Sequence, residues 1–262
     1  MDLRPFTMYL QEQGLATTTV YNHIRHIRYH LTFFSADFTQ DQAIDLIDQA
    51  NTLSAKKSLA NTVSKWLQYQ KRERDIILSH IRFLNAEYEK QSQVKRKMMG
   101  LNKDLPTYKQ LIELLQEHYE AERWKDYCIL YLLLNYNVRN MDMVADVVYN
   151  GRGLSKETNW FIVRQNNVLW KRNTYKTVDT YGAKQHVIKN KQFMNALQRL
   201  DCMLCSTDNL DRAVKKATGG VGEATVLKIY LNQKLPASQF KRVSFSRGTD
   251  LTTLLTSYDI GK

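Results

Sequence analysis

The chain has 262 residues, 43% of them hydrophobic and 24% charged, which suits one large folded domain or two modest ones. Lysine and arginine outnumber aspartate and glutamate 38 to 26, a formal net charge of +12. That excess favours a polyanionic partner through counterion release, the alternative being a merely solvated basic surface. No apolar run approaches the roughly 18–20 residues of a membrane span, and Met1-Asp-Leu-Arg-Pro-Phe6 does not read as a signal peptide, so an intracellular protein is expected.

Rich in helix formers and with only three prolines, the chain is expected to be mainly α with a small sheet, an α+β fold. Residues 1–92 read as a first helical domain of four or five helices. Its second helix opens at Thr17-Thr18-Thr19, an expected N-cap cluster, and places Val20, Ile24, Ile27, Leu31 and Phe34 on one face at 3- and 4-residue spacing. Arg25, Arg28 and the threonine hydroxyls fall elsewhere. Helices near 41–50, 55–70 and 73–91 follow, with Lys56, Lys57 and Lys65 on the one at 55–70.

Residues 93–105 form a basic stretch with Lys95, Arg96, Lys97, Gly100 and Lys103, expected as an interdomain linker. A second domain, 106–262, begins at Thr107, a plausible N-cap, with helices near 107–121 and 124–136. The pattern then changes. Trp160-Phe-Ile-Val163, Asn167-Val-Leu-Trp170 and His186-Val-Ile188 are β-rich runs that predict a small antiparallel sheet, and Tyr181-Gly182 reads as a turn. Helices return near 191–200, 208–217, 223–233, 237–246 and 250–257.

Among the three cysteines, Cys202 and Cys205 have CxxC spacing but no second pair, and His186 is the only histidine in that half. Neither a metal site nor a cofactor is expected, and the thiols read as reduced. Arg139 closes the apolar run Tyr127-Cys-Ile-Leu-Tyr-Leu-Leu-Leu-Asn-Tyr-Asn-Val-Arg139, which sets a fixed cation at a core edge. The plain alternative is a cation favoured at a helix C-terminus. Tyr258 lies four residues from the end of the sequence, where a packing role is the alternative to a chemical one. Thr17, Thr18, Thr19, Tyr21, Arg25 and Arg28 sit on or near a helix N-terminus, whose amides and dipole suit phosphate. With Lys56, Lys57, Lys65, Lys95, Arg96, Lys97 and Lys103 they would form a DNA-contacting track, solvated helix faces being the alternative.

A basic helical first domain, a linker, a helical second domain with a small sheet and a late tyrosine resemble the tyrosine recombinases, or phage integrase family. Leu132-Leu-Leu-Asn-Tyr-Asn-Val-Arg139-Asn-Met-Asp142 resembles the first arginine box. Tyr175-Lys176-Thr177 resembles the lysine loop, Ala217 to Tyr230 the segment of the second arginine, and Arg247-Gly-Thr249 the late histidine box, nine residues before Tyr258. The resemblance implies a SAM-like core-binding domain and a catalytic domain that clamp double-stranded DNA, often as a homo-oligomer. The short tail after Tyr258 weakens the expectation of an exchanged C-terminal segment. The resemblance also implies metal-independent attack by Tyr258 on a scissile phosphate, giving a 3′-phosphotyrosyl link. Arg139 and a second arginine would hold the non-bridging oxygens, and Lys176 would protonate the leaving oxygen. The departures are Ala224 and Leu227 where the family has His-x-x-Arg, and Thr249 for the late histidine. Arg247 is the nearest candidate to compensate. A cation aimed at the developing charge is worth about 10²–10³ in rate, so the expectation is a DNA-binding protein with reduced or absent strand transfer. The alternatives are an active site-specific recombinase and a basic protein that binds RNA or an acidic partner.

Overall fold

In a computed structural model, residues 1–101, 105–149, 151–152, 154–175, 177–200 and 204–258 are described, apart from the side chains of 93, 95–101, 237 and 256–258. The chain divides into two compact units, Met1–Met98 and Met99–Lys262.

The first unit is helical: α1 (Arg4–Glu12), α2 (Thr17–Tyr29), α3 (Leu31–Ser35), α4 (Gln40–Asp48), α5 (Leu53–Tyr69) and α6 (Asp75–Leu101). Its core is aromatic at the centre. Trp66 of α5 takes Phe6 and Phe34 edge-on, at centroid distances of 5.0 and 5.8 Å, each pair adding about 0.5–1.5 kcal/mol beyond area burial. Two expectations are corrected here. The long second helix breaks at His30 (φ −111°, ψ 37°), which swings Phe34 into the core while Leu31 stays 40% exposed. The N-cap of α2 is Ala16, with no side-chain cap, so Thr17 to Thr19 occupy the first turn with their hydroxyls outward. The stretch expected as a linker continues α6 to Leu101, since lysine, arginine, methionine and glutamine all favour helix and no breaker precedes Gly100.

The second unit holds α7 (Tyr108–Glu120), α8 (Trp124–Tyr136), β1 (Ala145–Val148), β2 (Asn159–Val163), β3 (Val168–Arg172), α9 (Val178–Tyr181), β4 (Lys184–Ile188), α10 (Lys191–Gln198), α11 (Leu210–Ala217), α12 (Glu223–Ile229), α13 (Phe240–Arg247) and α14 (Leu251–Tyr258). Thr107 does cap α7, in a capping box with Gln110. The sheet order is β1-β2-β3-β4. Pairing is antiparallel from β2 to β4, as expected, but β1 adds a parallel edge on β2, so the sheet is mixed. Apolar α8 runs through the main core, with Cys128, Ile129, Leu130 and Leu132 all fully buried. A smaller cluster joins Leu227 of α12, Phe240 and Val243 of α13 and Leu254 of α14.

Candidate functional site

Helix α8 stops because Asn137 adopts the left-handed conformation (φ 51°, ψ 40°), which asparagine tolerates better than most side chains. That reversal delivers Arg139, half-buried, just past the helix end. A 3₁₀ turn, Asn140–Met143, follows. Asp142 at its third position accepts the Arg139 backbone N–H at 2.8 Å and pairs with Arg172 at 2.6 Å, both side chains fully buried. Burial lifts the Asp142 carboxyl above its ordinary range, and Arg172 and the Arg139 N–H pull against that lift.

The Arg139 guanidinium donates to Thr177 Oγ1 at 3.3 Å, to the Gly248 carbonyl at 3.2 Å and to Thr249 Oγ1 at 2.6 Å. The structure therefore brings Arg139 and Thr249 together across 110 positions of sequence. Arg172 and Lys184 face each other across β3 and β4. Two like charges opposite one another would repel, but Asp142 and the end of α13 compensate them. Arg172 donates to the Ser246 carbonyl at 3.0 Å, and the Lys184 ammonium donates to the carbonyls of Phe245 and Ser246, the latter at 3.2 Å. Three cations thus converge on the C-terminal carbonyls of α13, where the helix dipole is negative. Burial, then the fields of Arg172 and Arg139, push the Lys184 ammonium down to about 8. His186, two residues on along β4, is pushed down to about 4 by burial and then by Arg172 and Lys184, so it is neutral at pH 7.

The remaining expected site residues separate. Arg247 turns inward: 1% exposed, it donates to the Asn137 and Val138 carbonyls at 3.0 Å each and pairs with Glu223, so it braces the end of α8 against α12 rather than entering the cluster around Arg139. Leu227 is 2% exposed within the apolar cluster of α12, α13 and α14, and Ala224 is exposed. Neither supplies a cation or an imidazole. Lys176 lies outside the described residues. Tyr258 ends α14, and its side chain also lies outside them. Arg172 and Lys184 are not among the residues the sequence pointed to. The signal was the strand period: Val168, Trp170 and Arg172 share one face of β3, and Lys184, His186 and Ile188 one face of β4.

In the first unit, Thr17, Thr18, Thr19, Tyr21, Arg25 and Arg28 are exposed on α2, with Tyr21 at 64% and the adjoining Tyr29 at 83%. Lys56 is paired with Asp48 at 3.1 Å, Lys57 lies 4.0 Å over the Tyr88 ring, and Lys65 reaches Gln68 at 3.3 Å. Lys95, Arg96 and Lys97 are helical in α6 with side chains outside the described set, as is all of Lys103. Among the described residues no group of three or more His, Cys, Asp or Glu could hold a metal ion, and no helix is long and apolar enough to cross a membrane.

No family model matches this chain, and no curated protein matches it. Among solved structures, one described as "Crystal structure of XerA recombinase" is similar at 9% identity and a TM-score of 0.36, covering 99% of this chain and 93% of that one. A TM-score of that size lies below what a shared fold requires, so the likeness bears on neither fold nor chemistry.

Proposed function

We propose that the chain is a DNA-binding protein of the tyrosine recombinase type that clamps duplex DNA, with strand transfer reduced or absent. The observation that carries the reading is the cluster of Arg139, Lys184 and the Thr177 and Thr249 hydroxyls. It gathers two accessible cations and two hydroxyls where the resemblance expects a scissile phosphate. In that reading Arg139 holds the non-bridging oxygens. Lys184, with an ammonium proton already loosened to about 8, is a better placed acid for a leaving oxygen than a fully solvated lysine would be. The exposed, cationic and aromatic face of α2 supplies contacts to the DNA backbone.

The reading of weak strand transfer rests on Leu227, whose burial in an apolar cluster leaves the second-arginine position without charge. Losing one such cation costs about 10²–10³ in rate. Suicide duplexes that trap a covalent adduct test the point, with Tyr258→Phe as control. Salt-dependent duplex binding without an adduct is expected. A Tyr258-dependent adduct at a rate typical of an intact pocket would favour the active recombinase instead, and absence of duplex binding at low salt would remove both readings.

A further inference from the structure

Between α2 and α5 in the first unit lies a polar cleft of about 340 Å³, lined by Thr19, Asn22, His23, Asn61, Ser64 and Lys65 among others. Its hydrogen-bonding pattern is fixed from beneath. The Thr62 hydroxyl gives its one proton to the Ser58 carbonyl at 3.0 Å, so its oxygen accepts from His23 Nδ1 at 2.9 Å. His23 therefore carries its proton on Nδ1 and presents the Nε2 lone pair toward the cleft. Burial, then the charges of His26 and Lys65, hold this imidazole down to about 4, so the lone pair survives at neutral pH. Asn61 donates its Nδ2 to the Lys57 carbonyl at 2.9 Å, which leaves its Oδ1 outward as a second acceptor. Ser64 Oγ accepts from Arg74 at 3.3 Å, leaving its proton to donate, and the Asn22 carboxamide is exposed.

A surface that only held phosphate would offer donors alone, because phosphate oxygens accept and do not donate. This cleft offers two oriented acceptors beside the donors of Ser64, Asn22 and Lys65. Such a mixture matches the edge of a base that presents an amino group next to an acceptor. In the major groove adenine does so through N6 and N7.

We infer that the α2–α5 cleft reads a base edge of duplex DNA in the major groove, with Asn61, beside His23, accepting the one amino proton that base pairing leaves free and Asn22 or Ser64 donating to its neighbour. This deepens the proposed function and rests on duplex binding. Arg25 and Arg28 are exposed on α2 outside the cleft, so phosphate contacts and base contacts divide: these arginines and Lys65 position the duplex, while His23, Asn61, Asn22 and Ser64 supply sequence preference.

The test uses the full chain. A preferred sequence is selected from randomised duplexes, and affinity is measured on it and on a scrambled duplex for wild type, Asn22→Ala and Asn61→Ala. Both substituted residues are exposed, so the fold is retained, as thermal melts would verify. Each variant is expected to lose about 5- to 100-fold on the preferred duplex and little on the scrambled one. Replacing one adenine at a time by purine, which lacks the amino group, should find a position where wild type loses affinity and Asn61→Ala does not. Equal losses on both duplexes would make the cleft a phosphate contact and overturn the inference while leaving duplex binding intact. A selection that yields no preferred sequence overturns it as well. No duplex binding at low salt overturns this inference and the proposed function together.

Discussion

Replacing Gly248 by alanine tests the cluster around Arg139 directly. Gly248 ends α13 in the left-handed region (φ 65°, ψ 50°). Its carbonyl accepts from Arg139 at 3.2 Å and from Thr177 Oγ1 at 2.6 Å. A Cβ there would stand 2.8 Å from Thr177 Oγ1 and 2.9 Å from the Tyr175 ring, closer than real contacts allow. The left-handed backbone costs alanine about 1–2 kcal/mol. Moving Thr177 away breaks its bond to Gly248 and its bond from Arg139, each worth about 1 kcal/mol net. The sum is about 3–4 kcal/mol, or about 6–15 °C in the Tm of a unit this size. Urea and thermal unfolding, followed by circular dichroism and tryptophan fluorescence, would read it. Gly248→Asn separates the two causes, because asparagine tolerates the backbone but carries the same Cβ. A loss under about 0.5 kcal/mol for alanine, or full recovery with asparagine, would refute the tight contact to Thr177 and with it the fixed position of Arg139.

Asp142→Asn leaves the fully buried Arg172 without its counter-charge and should cost about 3–5 kcal/mol in denaturant melts; a change below 1 kcal/mol would mean the pair is not buried as described. His23 and His186 both titrate near 4 in the fold against an ordinary 6.5. Folded values depressed in this way give stability that is full above about 6.5 and lost as pH falls toward 4, so Tm should decline across that window. A Tm flat from pH 7 to pH 4 would contradict the burial of both rings. Lys184, held near 8, should make duplex affinity fall between pH 7 and 9 as its charge is lost. Lys184→Met should flatten that part of the profile, and an unchanged profile would remove Lys184 from the interface.

The sequence carried the helices better than the site, for physical reasons that differ by element. Helix α2 was legible because Val20, Ile24 and Ile27 keep a 3.6-residue period, yet its end at His30 was not, since nothing at that position breaks a helix by type. Strand β1 was missed because Ala145-Asp-Val-Val148 is too short to show alternation and pairs in parallel with a strand eleven residues further on. Arg139 was visible as a charge closing an apolar run. Arg172 and Lys184 were not, because a charged residue at a strand end looks solvated until a partner such as Asp142 or the end of α13 is placed against it. Arg247 shows the reverse error: a cation near the right box in sequence, whose side chain the C-terminus of α8 claims instead.

The carbonyls of Phe245, Ser246 and Gly248 have one consequence for any anion that approaches Arg139 and Lys184. The cations are not waiting bare in water. They already have a resident counter-ion, the negative end of a helix in their own chain. An entering phosphate would therefore act by ligand exchange, taking over hydrogen bonds that peptide oxygens now hold. Much of the dehydration and ordering of these side chains is complete before the anion arrives. The affinity gained is then the difference between a full charge and a partial one, and the released end of α13 is free to report the exchange to α14, which begins after three intervening residues.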